Sequence, residues 1–274
     1  MCVNGFQVGD IVARKSYGGD VFFKIVNIAS DGNGNPIYHL RGVLYRISAD
    51  ATSDDLIKHN PRTAYAHMQQ YIAGVKRQVS RYSATRGMSF LNRITSRPGR
   101  ILHIDSSSEL LETCMEHYSE QRLRVTSMVA DESRQPYMIR KALEQVRPDI
   151  LVITGHDSLK KGAVRINSMD SYSNSKYYVQ SVLEARRYEP DMNRLSIFAG
   201  ACQSYFEAIM DAGANFASSP GRILINGLDP GIVSERIALT DVRTMVTPEE
   251  IARLTVSGEK GIGGIKTRGH LTWI

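Results

Sequence analysis

Residues 149–158 read DILVITGHDS. Ile150 to Thr154 form a near-continuous apolar run, which predicts a strand buried on both faces, and such strands belong to parallel sheets covered by helices. Outward from this stretch the pattern alternates. RILHID (100–105) is a short apolar strand, and SSSELLETCMEHYSEQ (106–121) begins with serines suited to capping a helix. RVTSMVA (124–130) is a second strand, and SRQPYMIRKALEQVRPD (133–149) is a helix ended by Arg147-Pro148. NSKYYVQSVLEARRYEP (174–190) is a further helix, LSIFAG (195–200) a buried strand, SYFEAIMDAG (204–213) a helix and RILING (222–227) a strand. Strands alternating with helices predict an α/β fold with a mostly parallel sheet flanked by helices over residues 100–274.

The N-terminal part differs. Residues 7–48 hold β-rich runs broken by Gly-Gly, Asp-Gly and Asn-Gly turn signals. This pattern predicts four or five strands in a small SH3-like β-barrel over residues 1–55. Residues 56–99 read as a basic, partly helical linker, with Tyr65, Met68, Ile72, Val75 and Val79 near helical spacing. Its tail, with Arg86-Gly87 and Arg97-Pro98-Gly99-Arg100, reads as exposed connector.

The formal charge of +6 is localised. Residues 56–100 hold nine basic side chains and no acid, while the segments on either side are slightly acidic. Basic residues interleaved with tyrosines are a candidate nucleic-acid surface. A solvated connector is the plainer reading, and a segment meant to be cut is a third. No run of about 18 apolar residues is present, so no membrane span is expected. The N-terminus lacks the pattern of a secretory signal, and the expected compartment is the cytoplasm. The three cysteines, Cys2, Cys114 and Cys202, include no CxxC. No histidine stands at ligand spacing from any of them, so neither a disulfide framework nor a metal site is expected, and no cofactor. The glycine-rich GEKGIGGIKTRG (258–269) fits no phosphate-loop pattern.

Ligands of open α/β sheets bind beyond the carboxyl ends of the strands. Two strands end in reactive residues there, DILVITGHDS at His156 and LSIFAGACQS at Cys202. If the strands are neighbours, the pair reads as a nucleophile and its general base. A helix starting just after Cys202 would favour the thiolate, and Gly200 and Ala201 would let the chain turn sharply. The Cys202 backbone N–H is then a natural oxyanion donor, with Gly155 a second backbone candidate. The plain alternatives are a buried structural thiol and a structural imidazole. His103 is a weaker base candidate. His39, His59, His67, His117 and His270 read as structural or surface residues.

A strand ending in His and, 46 residues later, a strand ending in Ala-Cys resemble the caspase, legumain and clostripain group of cysteine peptidases. That group carries Gly after its histidine, where this chain has Asp157, which puts the oxyanion contribution of that N–H in question. A closer resemblance is carried by GDIVARKSY, RPDILVITGHD, FAGACQS, GANFASSP and EKGIGGIKTRG, five ordered blocks similar to the YabG family of sporulation peptidases. The resemblance implies His156 and Cys202 as catalytic pair. It also implies cleavage after arginine and, as substrates, spore coat, cortex and germination proteins in the mother cell at the forming spore coat. An arginine-selecting pocket needs a carboxylate. Asp157, Asp170 and Asp229 are the candidates, each equally readable as a turn or cap residue. Ser218 and Ser219, in ANFASSP, are candidate pocket-lining residues. An arginine-specific peptidase would also find substrates in its own linker, at Arg62, Arg77, Arg81, Arg86, Arg93, Arg97 and Arg100, so self-cleavage there is expected. The rival classes are a nucleic-acid-binding protein using the barrel and linker, and a non-peptidase thiol amidase or acyltransferase.

Overall fold

The computed structural model of the chain describes residues 5–84 and 95–273. Cys2, Arg86-Gly87 and Arg93 lie outside the described residues. Ile11–Arg14 (β1), Phe22–Ser30 (β2), Pro36–Gly42 (β3), Ser48–Ala51 (β4) and Leu56–Lys58 (β5) form an antiparallel sheet in the order β4-β3-β2-β1-β5. Its apolar side, with Val12, Phe23, Ile25, Tyr38 and Leu40, is buried. Alternation accounts for this: in β3, Tyr38, Leu40 and Gly42 are buried while Ile37, His39 and Arg41 are only half-buried. A helix then runs Pro61–Ala84, with proline at the start, where no N–H is needed. Among its described side chains Ala64, Met68 and Val75 are buried and Tyr65 lies exposed, so the spacing seen in the sequence marks the helix while only part of it marks the contact face.

The main sheet contains Arg100–Asp105 (β7), Arg124–Val129 (β8), Ile150–Thr154 (β9), Ser196–Ala199 (β10), Phe216–Ser218 (β11) and Ile262–Gly264 (β13). Their order is β13-β11-β10-β9-β7-β8. β8, β7, β9, β10 and β11 are parallel neighbours, and only β13 runs antiparallel, on β11. The chain order of the parallel strands reverses between β7 and β9. In a doubly wound sheet that reversal opens a crevice beyond the carboxyl ends of the two strands. Elsewhere, Ser96–Arg97 (β6) pairs with Thr272–Trp273 (β15), and Met245–Val246 (β12) with Thr267–Arg268 (β14). RILING does not join the sheet: residues 222–225 and Gly227 carry no strand, and Asn226 makes only an isolated bridge.

Alternation along the buried strands sends side chains to both faces. Leu102, Ile104, Leu151, Ile153, Ile197 and Ala199 pack with Ile139 and Leu143 of the helix Gln135–Val146 and with Tyr178 and Val182 of the helix Ser175–Tyr188. Ile101, Ile150, Val152, Phe198 and Phe216 face the other way, onto Cys114 and Tyr118 of the helix Ser108–Glu120 and Ile232, Val233 and Ile237 of the helix Asp229–Leu239. That second core is continuous with the apolar side of the N-terminal sheet. At about 1.5–3 kcal/mol per fully buried large apolar side chain, these two layers hold the sheet edge rigid. Among the described residues, no helix is long and apolar enough to cross a membrane.

Candidate active site

β9 and β10 are adjacent and parallel, with Ile153 paired to Ala199. His156 and Cys202 each lie three residues beyond that pair, so both leave the same edge at the same height. The turn at Gly200 has φ +110°, a conformation that a side chain would strain. At Gly155 an added Cβ would stand 2.5 Å from Glu132 Oε1 and 2.6 Å from Ser106 Oγ. Gly155 therefore keeps β9 close to the Ser106–Glu132 pair.

Both candidate side chains are buried. The Cys202 Sγ accepts a hydrogen bond from Ile225 N–H at 2.9 Å. Burial pushes its pKa up to about 12, against the opposing pull of that N–H. His156 Nε2 lies 3.1 Å from the Gly42 carbonyl oxygen, which can only accept, so Nε2 carries the proton. Nδ1 is then the basic nitrogen, and among the described residues it has no hydrogen-bond partner. Burial lowers the His156 pKa to about 4. The His156 backbone N–H donates to Glu132 Oε1 at 2.8 Å, and Glu132 also takes the Arg41 guanidinium at 3.2 Å. The N-terminal sheet thus sets the tautomer of His156 through Gly42 and braces its loop through Arg41.

The helix after Cys202 begins at Phe206, four residues on, with Gln203 at φ +53° between. The expected direct dipole effect on the thiol is therefore weakened by distance. The Cys202 N–H donates to the Arg46 carbonyl oxygen at 3.0 Å, and the Asp157 N–H donates to the same oxygen at 3.2 Å. Two backbone donors, one following each candidate catalytic strand, converge on one oxygen. The residue after the histidine contributes through its backbone although it is not glycine.

The aspartates suggested by the sequence take other positions. The Asp157 carboxylate accepts from Ser158 N–H, Asn174 N–H, Ser175 Oγ and Ser204 Oγ, tying the loops after β9 and β10 together, and burial raises its pKa to about 6. Asp229 starts the helix Asp229–Leu239 and accepts from Val256 and Ser257 N–H at 2.8 and 3.2 Å. Asp170 is exposed in a 3-10 turn, Met169–Ser171. Ser219 Oγ accepts from Gln203 N–H and donates to Ile223 O, bracing the loop after Cys202. Ser218 is buried, and its Oγ has no partner among the described residues.

The carboxylate at the crevice is Asp105, the last residue of β7, and sequence reasoning missed it. It is fully buried and lies 2.5 Å from Arg46 Nη1. Thr154 Oγ1 donates to it at 2.8 Å and Ser107 N–H at 2.9 Å. Burial by itself would raise its pKa, but the Arg46 guanidinium holds it well below the usual carboxylate range. Arg46 Nη2 donates to Gly227 O at 2.9 Å, with Cys114 Sγ 3.8 Å away. His103, which is buried with burial lowering its pKa, bonds Thr154 Oγ1 and Tyr118 Oη and so fixes the Asp105 side of the pocket. Removing one partner of such a buried pair costs about 3–5 kcal/mol, because the other charge is left uncompensated. Among the described residues, no group of three or more His, Cys, Asp or Glu is placed to hold a metal ion.

Comparison with known proteins fits this arrangement. No solved structure matches the chain. The chain is 37% identical to the sporulation-specific protease YabG of Bacillus subtilis (strain 168), over 97% of its own length and 96% of that protein's. The sequence model of the YabG peptidase U57 family matches residues 7–274. A match over that length, on a sheet edge that gathers a thiol, an imidazole and converging backbone donors, places the chain in the YabG peptidase U57 family.

Proposed function

We propose that this chain is a cysteine endopeptidase that cleaves after arginine, with Cys202 as nucleophile and His156 as general base. The observation that carries this reading is the convergence of Cys202 N–H and Asp157 N–H on one carbonyl oxygen, between two loops that bear a thiol and an imidazole. A scissile carbonyl seated there is polarised before attack. His156 Nδ1 takes the thiol proton as Sγ adds to the carbonyl carbon, then delivers it to the leaving amine. Water, deprotonated by the same nitrogen, hydrolyses the thioester.

The buried thiol and imidazole are both neutral at rest, so proton transfer accompanies attack. The arrangement is of the caspase and clostripain kind, supported by the parallel order with one antiparallel edge strand. The chain divides into an N-terminal unit (1–55), a basic segment (56–99) and an α/β peptidase unit (100–274). An SH3-like barrel for the first is supported by the meander order β5-β1-β2-β3-β4 and by the register shift in β2 between Ile25 and Asn27, which bends that strand.

The relative's name supports action during sporulation; the substrates we infer from the family resemblance are spore coat, cortex and germination proteins, met in the cytoplasm of the mother cell at the forming coat. The seven arginines of 62–100 offer the enzyme its own sites for self-cleavage. The test is kcat/KM on matched peptides with arginine, lysine or glutamine before the scissile bond. Arginine is expected to exceed lysine by about 10-fold and glutamine by about 10²-fold or more, since only guanidinium pairs a carboxylate through two parallel donors. Equal rates on all three would refute the arginine reading.

A further inference from the structure

The Arg46 segment lies across the site as a peptide substrate would. Between β3 and β4 the chain leaves its own sheet, and Leu44, Tyr45 and Arg46 lie antiparallel to residues 225–227. Arg46 N–H donates to Ile225 O at 3.2 Å, Gly227 N–H donates to Leu44 O at 2.9 Å, and Tyr45 bridges Asn226. This is strand addition, the common way an extended peptide docks on an edge. The Arg46 carbonyl oxygen takes both converging N–H groups, of Cys202 and Asp157. Beyond it Ile47 bridges Asp157, and Ser48 N–H donates to Asp157 O at 3.1 Å, so the chain crosses the site and continues into β4. A purely structural ion pair would require the Arg46 guanidinium in the pocket. It would not require the Arg46 carbonyl to sit on the two donors between His156 and Cys202.

We propose that Asp105 is the carboxylate that selects arginine, and that Arg46 is the chain's own first substrate, filling the site until Cys202 cuts the Arg46–Ile47 bond. The proposal rests on the cysteine-peptidase reading above and adds to it a specificity residue and a position. Sγ adds to the Arg46 carbonyl carbon and the Arg46 C–Ile47 N bond breaks. The thiol proton passes through His156 to the Ile47 amine, and water converts the thioester to the Arg46 carboxylate and free thiol. The site is distinct from the linker arginines, none of which lies on the Cys202 and Asp157 N–H groups among the described residues. Because β4, which begins one residue past Ile47, stays paired to β3 from Arg41↔Ser48, the two products remain associated after the cut.

The test follows the full chain by mass spectrometry under denaturing conditions, alongside hydrolysis of an added arginyl peptide. Wild type is expected to give the fragment 1–46 and a fragment beginning at Ile47, shortened further wherever linker arginines are also cut, and Cys202→Ala to stay uncut at that bond. Asp105→Asn is expected to lower kcat/KM on the arginyl peptide by about 10²-fold and to remove the preference over a glutaminyl peptide. Arg46→Lys keeps a cation for Asp105 and so guards against misfolding; it is expected to slow the cut at that bond while leaving no Ile47 fragment at early times. Wild type that hydrolyses the arginyl peptide yet is never cut after Arg46 overturns Arg46 as substrate. Unchanged arginine preference in folded Asp105→Asn overturns Asp105 as selector. Wild type that neither cuts itself nor hydrolyses any peptide overturns the peptidase reading itself, and the proposal with it.

Discussion

Cys202→Ala is expected to lower kcat on arginyl peptides by about 10⁴-fold or more, to the level left by binding and the backbone donors alone. The fold should survive the change. Sγ contributes one short hydrogen bond, from Ile225 N–H, and sits in a core where an Ala side chain is smaller and apolar. Replacing it leaves the Ile225 N–H unpaired, at about 1–3 kcal/mol. The loss of rate would therefore appear with near-normal circular dichroism and a modestly lowered denaturation midpoint. Cys114 is the internal control. It is equally buried, burial pushes its pKa up to about 12, and it bonds Gly227 O rather than facing the N–H pair, so Cys114→Ala is expected to keep activity on arginyl peptides.

His156→Gln is expected to lower kcat by about 10³-fold, within the span typical of a general base. Glutamine can still donate to Gly42 O, so the brace between the N-terminal sheet and the catalytic loop is kept while the basic Nδ1 is removed. The pH profile carries a second signature. Activity needs neutral imidazole, so it falls as pH drops through the His156 pKa. Burial lowers that pKa from the ordinary 6.5 to about 4, because the charged form is disfavoured in the dry crevice. The acid limb of wild-type self-cleavage should accordingly lie below pH 6.5, and His156→Gln should lose that limb. An acid limb at or above 6.5 would mean that His156 titrates as an exposed group.

The strand pattern was legible because burial on both faces leaves unbroken apolar runs. Ile150–Ile153 and Ile197–Ala199 are unbroken apolar runs, and they lie in β9 and β10. The pair His156 and Cys202 was legible because both end such runs, and equal register beyond Ile153 and Ala199 brings them to one height. RILING was misread as a strand. Ile225 is buried and Ile223 and Leu224 are half-buried where the segment lies across the sheet edge, and Ile225 and Gly227 present backbone groups to residues 44–46 instead of to a neighbouring strand.

Asp105 was hidden by its neighbours. Asp-Ser-Ser-Ser before a helical run reads as a cap, and Ser107 does cap the next helix, while the aspartate one strand-end earlier turns into the crevice. Its signal was a lone charge closing an apolar strand. The crossing of residues 44–47 left no local trace, because VLYRI has ordinary strand composition and its partners are remote: Gly227, which binds the guanidinium, is 181 positions along the chain. Asp157 and Asp229, candidate ligands of arginine in the sequence, each accept hydrogen bonds from nearby N–H or hydroxyl donors, the common setting of an aspartate at a turn.

The residue alkylated when an arginyl chloromethyl ketone inactivates the enzyme, located by peptide mass spectrometry, tests Cys202 as the nucleophile. One adduct is expected, on Cys202, appearing in step with the loss of activity and slowed in Asp105→Asn. Inactivation with the adduct on any other residue, or peptidase activity that persists with Cys202 fully alkylated, would contradict it.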